Sequence, residues 1–292
     1  MSFQKKPTIC IIGLGLIGGS MAYALRGFHG ARIVGVDVNK ASVGAALKAG
    51  AIDEAFDSPA DGVRGADLVI LCVYPHHIHD IVIENAPYFK PGAIVCDVCG
   101  TKEHLYGGMH QYIPETIDYV GIHPMAGKEV DGFLNAEAGL FQNTGFIIVP
   151  LPETKPETVE AMQELAGYIG ATRLAVSSPH EHDAIIAYTS DLMHISATAL
   201  CVHYHPDMNS AYTAGAFRDC TRIANINPDL WTELFFANRT ALLPRLDQYI
   251  SDLQDMRAAI ETQDKETMRA LLKAAAENKH EMLKRQTFFE MD

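Results

Sequence analysis

His123 combines the side-chain type and the chain context needed to move a proton. It directly follows the apolar run 119–122 and opens the block His123-Pro124-Met125-Ala126-Gly127-Lys128-Glu129. An imidazole titrates near neutrality and can take the hydroxyl proton of a carbinol as hydride leaves the same carbon. A histidine bonded only to backbone is the bland alternative. A second set lies in the C-terminal half: His180-Glu181-His182-Asp183, then Ser190-Asp191-Leu192-Met193-His194, then Gly215-Ala216-Phe217-Arg218-Asp219-Cys220-Thr221-Arg222. Arg218 and Arg222 are four residues apart, so they are expected to share a helix face, where guanidinium forks clamp a carboxylate. Plain surface ion pairs are the competing reading for both, and for Glu129 beside the histidine block.

The elements that must carry these residues begin with a dinucleotide cradle. The apolar run Thr8-Ile9-Cys10-Ile11-Ile12 leads into Gly13-Leu14-Gly15-Leu16-Ile17-Gly18, then a helical stretch and a second apolar run ending at Asp37. The first glycine serves the tight turn, the second lets backbone approach a pyrophosphate, and the third allows close helix–strand packing. Asp37, about 20 residues after the last glycine, is placed to accept the adenosine ribose hydroxyls. A carboxylate there repels a 2′-phosphate, so NAD is favoured, with Lys40 leaving NADP as the alternative. In a doubly wound sheet, ligands sit beyond the carboxyl ends of the strands. That adds Val73-Tyr74-Pro75 to the cofactor side, and Thr101, after Asp97, to the substrate side.

Apolar runs at 32–37, 68–73, 93–96, 119–122, 146–149 and 172–176 alternate with helical or turn segments, which predicts a mostly parallel sheet. After Ser177-Ser178-Pro179 the pattern is helical, with apolar spacing at 180–203 and at Leu242, Leu246, Tyr249, Leu253, Met256 and Ile260. The expected architecture is an α/β Rossmann dinucleotide-binding domain, residues 1–175, followed by an all-α dimerisation domain, residues 176–292. The long helices carry more apolar surface than one small layer needs, so a homodimer is expected.

With 292 residues, core size is not limiting, and the formal charge of −13 opposes a phosphate backbone, so no nucleic-acid partner is expected. Six cysteines in apolar contexts and no apparent secretory leader predict free thiols in the cytoplasm. No apolar run is expected to reach the roughly 18 residues of a membrane span. Cys96 and Cys99, and the pair His203 and His205, lack metal-site spacing, so no metal is expected.

Together the blocks resemble the prephenate and arogenate dehydrogenases of tyrosine biosynthesis, over residues 8 to about 240. The glycine loop, the segment Asp97 to Lys102, the block His123 to Glu129, the pair Ser190 and His194, and Gly215 to Ala224 followed by Trp231 carry the likeness. The resemblance implies NAD-dependent oxidative decarboxylation, with His123 on the ring hydroxyl and Arg222 on a carboxylate. It also implies that Ser190, His194, Arg218 and Trp231 shape the pocket and that Gly215 comes from the partner subunit. Two positions depart from the family. Gly100 stands where many relatives have serine, leaving Thr101, a water or nothing to bond the reacting hydroxyl. Asp191 stands where relatives that prefer prephenate often have histidine, which favours the ammonium of arogenate. The competing readings are another two-domain NAD(P)-dependent oxidoreductase, of the β-hydroxyacid dehydrogenase or pyrroline-carboxylate reductase type, and a non-catalytic dinucleotide sensor.

Overall fold

The computed structural model describes residues 3, 5–203 and 210–289. His205 and the end of the tail, from Glu290, lie outside the described residues. The chain divides into two compact units, residues 1–239 and 240–292.

The first unit is built on eight strands: β1 (Thr8–Ile12), β2 (Arg32–Val36), β3 (Glu54–Phe56), β4 (Leu68–Leu71), β5 (Ile94–Asp97), β6 (Asp118–Met125), β7 (Gly145–Pro150) and β8 (Arg173–Val176). Their order is β3-β2-β1-β4-β5-β6-β7-β8, and only the β6–β7 pairing is antiparallel. Strands rich in Ile and Val bury both faces of the sheet, as a helix-covered parallel sheet requires. Ile9, Ile11, Ile33 and Phe146 pack on one face, and Cys10, Ile12, Val34 and Val95 on the other. Strand β3 escapes the sequence pattern because Glu54-Ala55-Phe56 is short, half-buried and at the sheet edge. The chain runs outward from β1 in both directions, so the loops after β1 and β4 splay apart and leave a crevice at their carboxyl ends.

The helices are α1 (Leu16–Ala24), α2 (Lys40–Lys48), α3 (Pro59–Val63), α4 (Pro75–Asn85), α5 (Glu103–Met109), α6 (Pro156–Tyr168), α7 (Pro179–Ile186), α8 (Leu192–Val202), α9 (Gly215–Thr221), α10 (Pro228–Ala237), α11 (Arg239–Glu261) and α12 (Lys265–Phe289). A capping box at Ser178 and Glu181 starts α7. Between α7 and α8 the helix widens into a π turn, Ala187–Asp191. The continuous span Pro179–Val202 is 24 residues long and contains an 18-residue window with a mean hydropathy of 1.3, long and apolar enough to cross a membrane by those measures. This corrects the expectation that no such run exists. Asp183, on the same span, accepts backbone N–H bonds from Lys102 and Glu103, so the helix is tied by polar contacts to the start of α5.

The second unit holds α12 and all of α11 after its first residue. Gln263 turns the chain at φ 55°, and Asp264 caps α12 by accepting the amides of Glu266 and Thr267. Leu253 and Ile260 are exposed here.

Candidate active site

The glycine loop fits a dinucleotide by an observation of packing. Gly13 has φ +93°, and a Cβ there would lie 2.3 Å from the carbonyl oxygen of Cys72; a Cβ on Gly18 would lie 1.8 Å from that of Gly13. Neither place tolerates a side chain. A Cβ on Gly15 would meet nothing within 4 Å, so the backbone there is open to a ligand. Helix α1 starts at that point with no side-chain cap and no acid in its first turn, which leaves its N-terminal amides for an anion. Asp37 accepts the amide of Leu14 at 2.6 Å and that of Asn39 at 2.7 Å, tying the end of β2 to the loop. Lys40 is engaged by Asp57.

A cleft of about 820 Å³ opens beside this loop. Gly15, Leu16, Ile17, Val73, Tyr74, Pro75, Gly100 and His123 line its sheet side, and Ser190, Asp191, His194, Arg222 and Trp231 its helical side. The remaining sequence candidates fall outside the lining. Gly13, Leu14, Gly18 and Asp37 shape the loop from behind. Thr101 is buried, with its hydroxyl 3.6 Å from the Cys99 sulfur, so it is not available to a ligand's hydroxyl. Gly215 and Arg218 are exposed on α9, where Arg218 pairs with its neighbour Asp219. The Arg222 amide bonds the Arg218 carbonyl one helical turn earlier, but of the two arginines only Arg222 lines this cleft.

His123 lies within β6 rather than just beyond it. Pairing with β5 stops at Gly121, but β6 continues beside β7, where His123 is opposite Ile147. The overhang carries the imidazole past the end of β5 and into the cleft. Its Nδ1 is 2.9 Å from Nε2 of His182, whose Nδ1 is 2.7 Å from Asp183. Beneath it Lys102, fully buried, donates to Asp97 at 2.5 Å and to the carbonyl of Ile122 at 2.9 Å. The Tyr119 hydroxyl donates to the same Asp97 at 3.0 Å. Burial first, then His182 and Lys102, hold the His123 pKa well below the usual imidazole value. His123 is therefore neutral at neutral pH and ready to accept a proton.

On the helical side, His182, Ile186, Ser190 and His194 fall at four-residue steps. In a regular α-helix each such step drifts by about 40° around the axis. The π turn takes up that drift, so His182 meets His123 while Ile186, Ser190 and His194 still line the cleft. His194 stacks on Trp231 with ring centroids 3.6 Å apart and bonds the carbonyl of Ser190 at 3.0 Å. Arg222 is paired with Glu129 at the cleft wall. Asp191 is buried and accepts from Asn238 at 2.7 Å; burial pushes its carboxyl up to about 6.

Sequence reasoning missed the roles of His182, Asp183, Lys102 and Asn238. His182 and Asp183 stood in a block already singled out, but their partners are about 60 and 80 residues away in the chain. Only Asn238 had no sequence signal. Asn227 is a further gain: it caps α10 and also bonds the Tyr74 hydroxyl and Asp131, each at 3.0 Å.

The model for the prephenate dehydrogenase nucleotide-binding domain matches residues 21–174, and that for the prephenate dehydrogenase dimerization domain matches residues 178–274. The chain belongs to the prephenate dehydrogenase family. It is 34% identical over 280 residues to a prephenate dehydrogenase of Bacillus subtilis, covering 93% of this chain and 75% of that one. It is 35% identical over 265 residues to a cyclohexadienyl dehydrogenase of Zymomonas mobilis, covering 88% and 89%. Among solved structures, the A. aeolicus prephenate dehydrogenase in complex with hydroxyphenyl propionate and NAD+ superposes with a TM-score of 0.84 at 26% identity, covering 97% of this chain and all of that one. In this member of the family the first matched segment ends within β8 and the second begins just before α7, where the sheet gives way to helices.

Proposed function

We propose that this family member catalyses the NAD-dependent oxidative decarboxylation of prephenate to 4-hydroxyphenylpyruvate, and that it also accepts arogenate, giving tyrosine. The observation that carries this reading is the position of a neutral His123 in a cleft that has an open glycine loop on one side and Arg222 on the other. The chemistry a bound NAD supplies is acceptance of hydride from the ring carbon bearing the hydroxyl. His123 accepts the hydroxyl proton as that hydride departs. The bond to the ring carboxylate then breaks, its electron pair aromatises the ring and carbon dioxide leaves. The proton returns to the phenolate oxygen, so none is released overall.

Arg222 is assigned to a substrate carboxylate, which would compete with Glu129 for the guanidinium. The stacked His194 and Trp231, with Ser190, form the wall against the ring. Asp191 is assigned to the side chain of the substrate, where a carboxylate attracts the ammonium of arogenate. Gly13 to Gly18, Asp37 and the segment Val73 to Pro75 are assigned to the cofactor. The division of labour is a nucleotide domain to residue 175 and a substrate and dimerisation domain from 176. Homodimerisation through that second part is supported by exposed Ile185, Leu200, Val202 and Phe236. Gly215 and Arg218, which do not line this chain's own cleft, are then available to the partner's. Six unpaired thiols support a cytoplasmic location.

The test mixes purified protein with NAD and either prephenate or arogenate, follows NADH absorbance and identifies the aromatic product. Turnover that collapses in His123→Asn is the expected result. NAD binding with no turnover of either acid would overturn the reading.

A further inference from the structure

The histidine that faces the cleft is the end of a buried chain of three groups. His123 Nδ1 lies 2.9 Å from His182 Nε2, and His182 Nδ1 lies 2.7 Å from Asp183 Oδ1. Asp183 ends the chain in a fixed polarity. Its Oδ1 accepts the amide of Lys102 at 2.9 Å and its Oδ2 that of Glu103 at 2.9 Å, and backbone N–H groups can only donate. Both oxygens are thus held as acceptors, and His182 and Asp183 are buried from water. The backbone of Asp183 is held too, since its carbonyl accepts from Asn238 at 3.0 Å.

We propose that Asp183 and His182 are positioning residues that set the tautomer of His123 and take up the proton it gains. The assignment rests on the dehydrogenase reading above only for the step that uses it. Asp183 requires a proton on His182 Nδ1. A neutral His182 then presents a bare Nε2, which requires a proton on His123 Nδ1. His123 is left with its Nε2 lone pair free, the state that accepts a hydrogen bond from a substrate hydroxyl. When Nε2 takes that proton, the Nδ1 proton of His123 moves to Nε2 of His182. The positive charge then rests on His182, 2.7 Å from the carboxylate of Asp183. Proton return to the phenolate reverses both transfers, so the chain starts and ends in one state.

Asp183→Asn inverts the polarity. An amide nitrogen facing His182 Nδ1 donates where the carboxylate accepted, which moves the His182 proton to Nε2 and the His123 proton to its own Nε2. The base becomes a donor. The measurement is the ring-nitrogen spectrum of the ¹⁵N-histidine protein, with His123 and His182 assigned from His123→Asn and His182→Gln. The expected wild-type spectrum has both histidines protonated at Nδ1 alone. In Asp183→Asn both shift to Nε2, and kcat falls on the order of a hundredfold or more with the NAD dissociation constant unchanged.

A wild-type His123 protonated at Nε2 would overturn the proposal, and so would an Asp183→Asn protein that keeps its kcat. If Asp183→Asn does not fold, the wild-type spectrum decides alone. If the tautomers are as expected but no cyclohexadienyl acid is turned over, the dehydrogenase reading fails while the tautomer assignment stands.

Discussion

The two walls of the cleft are built by different physics. On the sheet side, Lys102, Asp97 and Tyr119 form a fully buried network under β6, and the main chain next to His123 is one of its acceptors. On the helical side, apart from the buried pair His182 and Asp183, the ties across the cleft are exposed side-chain pairs: Arg222 with Glu129, Asn227 with Tyr74 and Asp131, and His76 with Glu233. Buried networks fix geometry because no water can replace a lost partner, whereas exposed pairs contribute little to stability and exchange partners readily. On the proposed function, the reacting atoms would sit against the fixed wall, and the groups that recognise the substrate would stand on the adjustable one. Substitutions on the sheet side should destroy folding or kcat. Those on the helical side outside the buried pair His182 and Asp183 should move KM and substrate preference while leaving the fold intact.

The sharpest way to break that contrast is Lys102→Met. Removing one partner of a fully buried pair strands the charge of Asp97, and such losses cost about 3–5 kcal/mol. Chemical denaturation should show a fall of that size. A change below about 1 kcal/mol would mean that the network does not anchor β6. His123→Asn comes next: a lost general base costs roughly a hundred- to ten-thousandfold in rate, here expected in kcat with little change in the melting temperature or in NAD affinity.

Arg222→Ala should act on the other wall. Losing a charge-assisted clamp is expected to lower kcat/KM by roughly ten- to a hundredfold, mostly through KM, with the fold unchanged. A drop confined to kcat would move Arg222 to the reacting side of the comparison. Asp191 sharpens the same point through pH. Its carboxyl, pushed up to about 6 by burial, is charged above that pH and neutral below it. KM for arogenate should therefore rise as pH falls through 6, while kcat stays level because His123 remains neutral there. Asp191→Asn should remove that rise and shift the ratio of specificity constants towards prephenate by roughly tenfold. An unchanged ratio would remove Asp191 from recognition.

The same contrast decides what could be read from the chain in advance. The cradle was legible because Gly13 to Gly18 and Asp37 form one local pattern whose steric demands appear as residue types. His123 was legible because an apolar run delivers it to the ligand edge, although its place inside β6 depends on the antiparallel β7, which no local pattern announces. The helical wall was only partly legible. Helical spacing placed Ser190 and His194 in one helix, but it could not reveal the π turn that lets both line the cleft while His182 turns to His123. Arg218 and Arg222 keep the helical step their spacing suggests, with the Arg222 amide bonded to the Arg218 carbonyl, yet only Arg222 lines the cleft; which of the two reaches a pocket is set by the fold and not by the spacing. Asp183 bonds an amide 80 residues earlier, a contact that only the folded chain can specify.

Gly100 offers the smallest and finest test, because it lies where the two walls meet. A Cβ added there would lie 3.4 Å from Leu234 on α10 and 3.9 Å from Cε1 of His123, and its φ is not in the left-handed region, so serine should be accommodated. Thr101, the nearest hydroxyl in the chain, is buried beside Cys99 and does not line the cleft. On the proposed function, His123 would meet the reacting hydroxyl with no help from Thr101. Gly100→Ser adds a second hydrogen-bonding group, and one net bond of about 1 kcal/mol corresponds to roughly fivefold. If the added bond strengthens as charge develops on the oxygen, the gain should appear in kcat for both acids, with KM and the melting temperature little changed. A gain confined to KM would mean that the serine binds the ground state only. A loss in kcat would mean that the histidine already satisfies the hydroxyl and that the crowded wall at Leu234 pushes the ring away from it.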